Sequence, residues 1–200
     1  MAKANWVKVN PSQGSGDATV NVSSTAPHTG REVRTTILTW KAANVTDIPR
    51  TVNQAGKPEY VDIADSASAD KLGKVVTISG TSNSAKLTFS LGTGDLDITL
   101  PTTYIANSAT TNNGAAIAGD PGAAAEYPFS ISITVPANES IKAKSRQIIV
   151  TDSAGHQDVC NLVSAAGDAY VTVADGTIEL DWEGTAVAVA VESNTNWTVE

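Results

Sequence analysis

One stretch of this sequence occurs twice. Val52-Asn53-Gln54-Ala55-Gly56 followed by Tyr60-Val61-Asp62-Ile63 returns as Val163-Ser164-Ala165-Ala166-Gly167 followed by Tyr170-Val171-Thr172-Val173, offset by 111 at the glycines and 110 at the tyrosines. Downstream, Gly73, Val76, Ile78 and Ser82-Asn83 match Gly184, Val187, Val189 and Ser193-Asn194, all at 111. Upstream, Gly30-Arg31-Glu32-Val33-Arg34 before Ile37-Leu38 returns at about 112 as Ile141-Lys142-Ala143-Lys144-Ser145-Arg146 before Ile148-Ile149-Val150. Self-similarity at a fixed period marks one structural unit used more than once, and the period sets its size. In 200 residues this period gives about 1.8 copies, out of register with the chain. Residues 58–167 then form one complete unit, 1–57 the back of a unit and 168–200 the front of one.

The unit reads as all-β. Period-two alternation recurs at strand length in Val20-Asn21-Val22, Thr36-Ile37-Leu38-Thr39-Trp40, Val76-Thr77-Ile78, Lys86-Leu87-Thr88-Phe89, Ile131-Ser132-Ile133-Thr134-Val135, Ile148-Ile149-Val150 and residues 186–191. Turn signals separate these runs, among them Asn10-Pro11, Gly14-Ser15-Gly16-Asp17, Gly92-Thr93-Gly94-Asp95 and Ser153-Ala154-Gly155. Short strands punctuated in this way indicate immunoglobulin-like β-sandwiches, two units in all, with one split between the two ends of the chain. A composition 41% hydrophobic and 17% charged is enough to build a core. Residues 104–126, rich in Ala, Asn, Thr and Gly, break the rhythm and read as a long loop or an arm that orders against a partner subunit.

Several functional classes find little support. Net charge is −8 with acidic residues along the chain, so no basic stripe is available to neutralise a phosphate backbone, and nucleic acid is not expected as a partner. The longest apolar run, residues 186–191, is far below the ~20 residues that span a bilayer, so no membrane is expected either. With Met1 as a native start and no signal-peptide pattern after it, the expectation is a protein not exported by the ordinary route. The lone Cys160 reads as a small buried hydrophobe, and the lack of disulfides leans towards an intracellular origin. His28 and His156 sit in apparent turns without metal-ligand or nucleophile spacing, so no catalytic residue, metal or other cofactor is expected. Asp95 with Asp97, or Asp62 with Asp65, are neighbours of a kind common in acidic chains, and Gly14-Ser15-Gly16 lacks the helix and third glycine of a dinucleotide site. Trp6 and Trp197 fall on strand positions and read as core, whereas Trp40 and Trp182 alternate with polar neighbours and are candidates for glycan or partner contact.

Joining the C-terminus to the N-terminus makes the divided unit visible. It runs through Ala169-Tyr170-Val171-Thr172-Val173, Ser193-Asn194-Thr195-Asn196-Trp197-Thr198-Val199, Trp6-Val7-Lys8-Val9-Asn10-Pro11-Ser12-Gln13-Gly14-Ser15-Gly16, the Arg31-to-Trp40 strand and Val52-Asn53-Gln54-Ala55-Gly56. This string resembles the BACON family of immunoglobulin-like domains: a strand ending in Ser-Asn, a Trp-bearing strand, a Trp before a Pro-Ser-x-Gly-x-Gly turn, an Arg-led strand and a closing Gln-x-Gly. The resemblance covers 168–200 plus 1–57. The central unit is a degenerate copy, with Lys86 at the position of Trp197, Ala165 at that of Gln54, and 104–126 in place of the short glycine turn. Such domains occur in surface proteins of gut Bacteroidota and in virion proteins of the crAss-like phages that infect them. The resemblance, with no export signal, implies a virion component assembled in the host cytoplasm, an auxiliary or decoration protein contacting its own copies and a major capsid protein. The alternative is a carbohydrate-binding or adhesive module of a bacterial surface protein, with a host surface glycan as partner.

Neither half-unit is expected to be stable alone, since each presents sheet edges and an uncovered apolar face. The suspected complementation interface comprises Trp6, Val20, Val22 and Ile37 on one half and Tyr170, Val189, Val191 and Trp197 on the other. The five-residue connection 165–169 reaches at most ~17 Å, well short of a sandwich ~35 to 40 Å long. That favours completion between chains over completion within one, both remaining open at this point.

Overall fold

A computed structural model describes residues 3–174 and 176–200. In chain order its elements are β1 (Val7–Asn10), β2 (Asn21–Ser24), β3 (Arg34–Trp40), β4 (Ile48–Gln54), β5 (Val61–Ile63), β6 (Ser66–Ala69), β7 (Lys74–Ser82), β8 (Thr88–Gly94), β9 (Thr103–Ala106), β10 (Ala109–Asn112), α1 (Pro121–Ala124), β11 (Tyr127–Val135), β12 (Lys144–Thr151), β13 (Gln157–Ser164), β14 (Val171–Val173) and β15 (Val191–Ser193). The protein is all-β.

Two sheets form a sandwich between residues 61 and 164. One has the order β10-β9-β11-β7-β5, the other β6-β13-β12-β8. In sandwich nomenclature β5, β7, β11 and β9 are strands A, B, E and D, and β8, β12 and β13 are C, F and G, which is the immunoglobulin-like arrangement. The chain crosses between sheets inside its first strand, β5 joining β7 antiparallel and β6 joining β13 parallel. The reason these residues form these strands is plain in β11, where Tyr127, Phe129, Ile131, Ile133 and Val135 are all buried and the residues between them are not. They meet Val76 and Ile78 of β7 and, across the interlayer, Phe89, Ile148, Val150, Cys160 and Leu162. Phe89 sits 5.1 Å from the Tyr104 ring and 5.9 Å from that of Phe129, centroid to centroid. Cys160 belongs to this core, and burial pushes its thiol up to about 11. Every member of the main apolar cluster lies between Ile63 and Leu162.

One expectation is corrected here. Residues 104–126 are not a long loop: β9 and β10 form a hairpin that extends the first sheet, followed by the short helix α1. Tyr104 and Ile117 are buried, and Asn107 and Ser108 take the positive φ values of 47° and 67° that a two-residue hairpin turn needs. Lys86, at the offset of 111 from Trp197, is half-buried and precedes the buried Leu87, and the apolar-polar-apolar order of Trp197-Thr198-Val199 is also that of Leu87-Thr88-Phe89 at an offset of 110.

Outside the sandwich lie three two-stranded pieces: β1-β2, β3-β4 and β14-β15. The last two keep the registers of the complete unit. β3-β4 pairs Arg34 with Gln54 as β12-β13 pairs Lys144 with Ser164, and β14-β15 pairs Val171 with Ser193 as β5-β7 pairs Val61 with Ser82.

Candidate functional site

Two junctions flank the sandwich, and they are built from the same bonds. At the first, the Tyr60 N–H donates to Asn83 Oδ1 (3.0 Å), Ser82 Oγ donates to the Tyr60 carbonyl (2.7 Å), and Asn83 Nδ2 reaches the carbonyls of Thr29, Lys57 and Pro58. At the second, the Tyr170 N–H donates to Asn194 Oδ1 (2.9 Å), Ser193 Oγ to the Tyr170 carbonyl (2.9 Å), and Asn194 Nδ2 to the carbonyls of Glu139 and Asp168. The Lys57 N–H to Gly30 carbonyl bond has its counterpart in the Gly167 N–H to Ser140 carbonyl bond. An Asn amide is suited to this work because one planar group accepts from one strand and donates to the two chain segments entering beside it.

The first junction carries a further clamp. The Arg31 guanidinium donates to both carboxylate oxygens of Asp120 and to the Asn83 carbonyl (3.1 Å). Those hydrogen bonds, and the guanidinium charge with them, hold the Asp120 carboxyl below the usual carboxylate range and raise Arg31. The backbone N–H groups of Arg31 and Glu32 donate to the carbonyls of Gly122 and Ala123, capping the end of α1. Gly30 is required for that approach, since a Cβ there would lie 2.3 Å from the Ala124 carbonyl carbon.

The junctions sit at opposite poles. The first gathers around Ser82, Asn83 and the start of β11, the second around the loop after Val135. The nine residues of β11 separate them by about 27 Å. Among the described residues, no hydrogen bond and no strand pairing joins 3–57 to 168–200.

The N-terminal piece is two hairpins held as separate leaves. Arg34 ties them: its guanidinium lies 4.6 Å over the Trp6 ring and donates to Gln54 Oε1, while Gln54 Nε2 donates to Ser24 Oγ. Between the leaves lies a groove of about 580 Å³ whose apolar lining includes Val9, Val20, Leu38 and Trp40. Val7 and Leu38 are the apolar side chains buried in this piece. In the complete sandwich β7 pairs with β11 in one sheet and β8 with β12 in the other, and their side chains cover the core. Exposure differs at the equivalent positions: Val22 is 40% exposed where Ile133 is 0%, and Trp40 is 40% exposed where Val150 is 0%. The C-terminal piece shows the converse, with Val187 at 49% against 7% for Val76 and Val189 at 39% against 1% for Ile78.

Of the residues singled out from sequence, Val20, Ile37 and Trp40 line the groove and Val22 lies on β2 beside it, with Ile37 on the opposite face of β3 from Leu38. Trp6 is half-buried beneath Arg34. Tyr170, Val189, Val191 and Trp197 lie on the other pole, and Trp182 projects from the turn before Gly184, 93% exposed. The four named N-terminal residues are thus not brought together with their four C-terminal counterparts in one chain. Sequence reasoning missed the roles of Asn83, Asn194, Arg31 and Asp120; the repeated Ser-Asn pair was the signal for the first two.

His28 and His156 are both engaged locally, His28 with the Glu32 carbonyl and His156 with Asp152. Among the described residues no cluster of three or more His, Cys, Asp or Glu is placed to hold a metal ion. No helix among them is long and apolar enough to cross a membrane.

No family model matches the chain, and no curated protein matches it. Among solved structures it is similar to the collagen-binding domain of the Erysipelothrix rhusiopathiae surface protein RspB, at 10% identity over 74% of this chain and with a TM-score of 0.22. The match spans 63% of that chain, less than two thirds of its length. A likeness at this level assigns neither partner nor activity.

Proposed function

We propose that this chain is a non-enzymatic structural subunit that works by packing immunoglobulin-like sandwiches against neighbouring subunits, as an auxiliary or decoration protein on the capsid of a tailed bacteriophage. The observation that carries this reading is the pair of uncovered apolar faces at the two poles of a finished sandwich, Val22 and Trp40 on one and Val187 and Val189 on the other. Contiguous exposed apolar surface of this kind marks a site that a partner covers. The virion setting comes from the BACON-like string across 168–200 and 1–57 and its likeness to crAss-like phage proteins. In that setting the partners are further copies of the chain and a major capsid protein, and the location is the virion.

Light scattering on the purified chain across a concentration series tests the packing role. Masses at multiples of 20.6 kDa are expected, and a monomer at every concentration would overturn it. Co-sedimentation with assembled capsids tests the setting, and failure to bind any capsid surface would remove it. A second reading, a carbohydrate-binding or adhesive module, is favoured by one feature, the open indole of Trp182. Binding to a glycan array that is lost in W182A and not in W40A would establish it.

A further inference from the structure

The charge of this protein is divided by segment. Residues 1–57 carry seven Lys and Arg against three Asp and Glu, a net +4, whereas 168–200 carry seven Asp and Glu and no Lys or Arg, a net −7. The acidic residues are therefore not simply spread along the chain: one incomplete half is basic and the other acidic. Opposite potentials on two incomplete surfaces steer them together and disfavour pairing of like with like.

Shape agrees with charge. Residues 3–57 hold the equivalents of strands D, E, F and G in β1, β2, β3 and β4, and the strands missing from them are A, B and C. Residues 168–200 hold A and B in β14 and β15 and the start of C in Trp197-Thr198-Val199. The complete sandwich shows how the two sets fit. There β7 runs antiparallel to β11, with Ile78 opposite Ile131 and Val76 opposite Ile133, and Phe89 of β8 lies opposite Val150 of β12. Carried through the repeat, these pairs become Val189 opposite Val20, Val187 opposite Val22 and Val199 opposite Trp40.

We infer that the groove between the two N-terminal hairpins takes residues 186–199 of a second copy of this chain, in that register. This rests on the reading of the chain as a packing subunit and names its partner and its contact. Residues 186–199 of the same copy do not reach this groove, because they belong to a piece held at the far pole by Asn194 and by the Gly167–Ser140 bond. Every copy offers both a basic groove and an acidic donor, so the contact is heterologous and head to tail, closing into a ring or extending as a row.

Two full-length variants test this, V20C and V189C, purified separately, mixed and oxidised with glutathione disulfide. Directly opposed strand residues have Cβ atoms ~4.5–5.5 Å apart, close enough for a disulfide with little adjustment. The native Cys160 is fully buried and does not compete. The expected product is a disulfide-linked pair containing one chain of each kind. V20C with A188C, whose side chain points to the other face, is expected to give little. Should either cysteine variant lose the far-UV spectrum of the sandwich, V22C with V187C repeats the test one register pair along. Absence of the bond from both pairs, or equal yield with A188C, overturns the inference. Light scattering on the same samples separates the two levels: assemblies without the bond leave the packing role standing, and monomers without it remove both.

Discussion

Replacing Asn83 with Ala tests whether the first junction is held by the bonds described. Asn83 is fully buried, and its side chain accepts from the Tyr60 N–H and donates to three carbonyls. Truncation leaves these groups without a partner. A buried unpaired group costs ~1–3 kcal/mol, and the full value applies to the N–H. The Lys57 and Pro58 carbonyls border exposed residues and recover part of their loss from water. The expected cost is therefore about 3 kcal/mol, which is large against the ~5–15 kcal/mol that holds a typical domain together. Asn83→Asp is expected to cost more, since it keeps the acceptor but turns an anion onto three carbonyl oxygens. Asn194→Ala is expected to cost only about 1 kcal/mol in the isolated chain, where its junction is half-open to water. Urea unfolding followed by far-UV circular dichroism reads these changes. With a slope of about 1.5 kcal/mol per M, Asn83→Ala moves the midpoint down by about 2 M. Tryptophan fluorescence serves as the second channel, because all four tryptophans lie outside residues 58–167 and report only on the terminal pieces. A loss below ~1 kcal/mol for Asn83→Ala, or a larger loss for Asn194→Ala, would refute this account of the junction.

Three further outcomes follow from the same geometry. Asp120 is held below its ordinary range in the folded state, so its pairing with Arg31 stabilises docking above the usual carboxylate pKa and is lost as pH falls through the depressed folded value. The protection factors of the Arg31 and Glu32 amides, taken against the intrinsic exchange rate at each pH, should fall in that acid window, and Asp120→Asn should remove the step; the effect is below ~1 kcal/mol because the pair is partly open to solvent. Gly30→Ala drives a Cβ into the Ala124 backbone and is expected to release residues 3–57 from α1 without unfolding the sandwich, read as lost protection of those two amides with an unchanged far-UV transition. Assembly should weaken on going from low salt to ~0.5 M, as screening removes the attraction between the +4 and −7 segments, while the apolar contact leaves a residual association; light scattering at graded salt measures it.

Much of the fold was legible because its apolar residues alternate strictly. The Ile131-Ser132-Ile133-Thr134-Val135 run announces a half-buried strand, and the recurrence of Gly73, Val76, Ile78, Ser82 and Asn83 at one offset exposes the repeat. The β9–β10 hairpin was not legible, since Ala109-Thr110-Thr111-Asn112 has no apolar alternation and Asn107-Ser108 is a weak turn signal beside Asn-Gly. Strand β6 was hidden for a similar reason: Ser-Ala-Ser-Ala has low strand propensity and is held in place by its parallel partner β13. The groove could be anticipated from the split repeat. Its clamp could not, because Arg31 and Asp120 are 89 residues apart and only the folded chain brings them together. The charge division between the ends was readable all along, but only after the chain had been cut at the repeat boundaries.

The central claim is that one end of this protein completes the other end of a second copy, and mixing two disabled forms tests it most directly. Val22→Asp places an unpaired carboxylate on β2 beside the groove, where Val187 of the donor is to pack, and Val189→Asp does the same on the donor strand; both sites are exposed in the isolated chain, so neither variant should unfold it. Each variant alone is expected to sediment as a monomer. An equimolar mixture retains one intact groove and one intact donor, and should sediment as a 1:1 dimer that grows no further. A mixture that stays monomeric while the unmodified chain assembles, or single variants that assemble as the unmodified chain does, would contradict the claim.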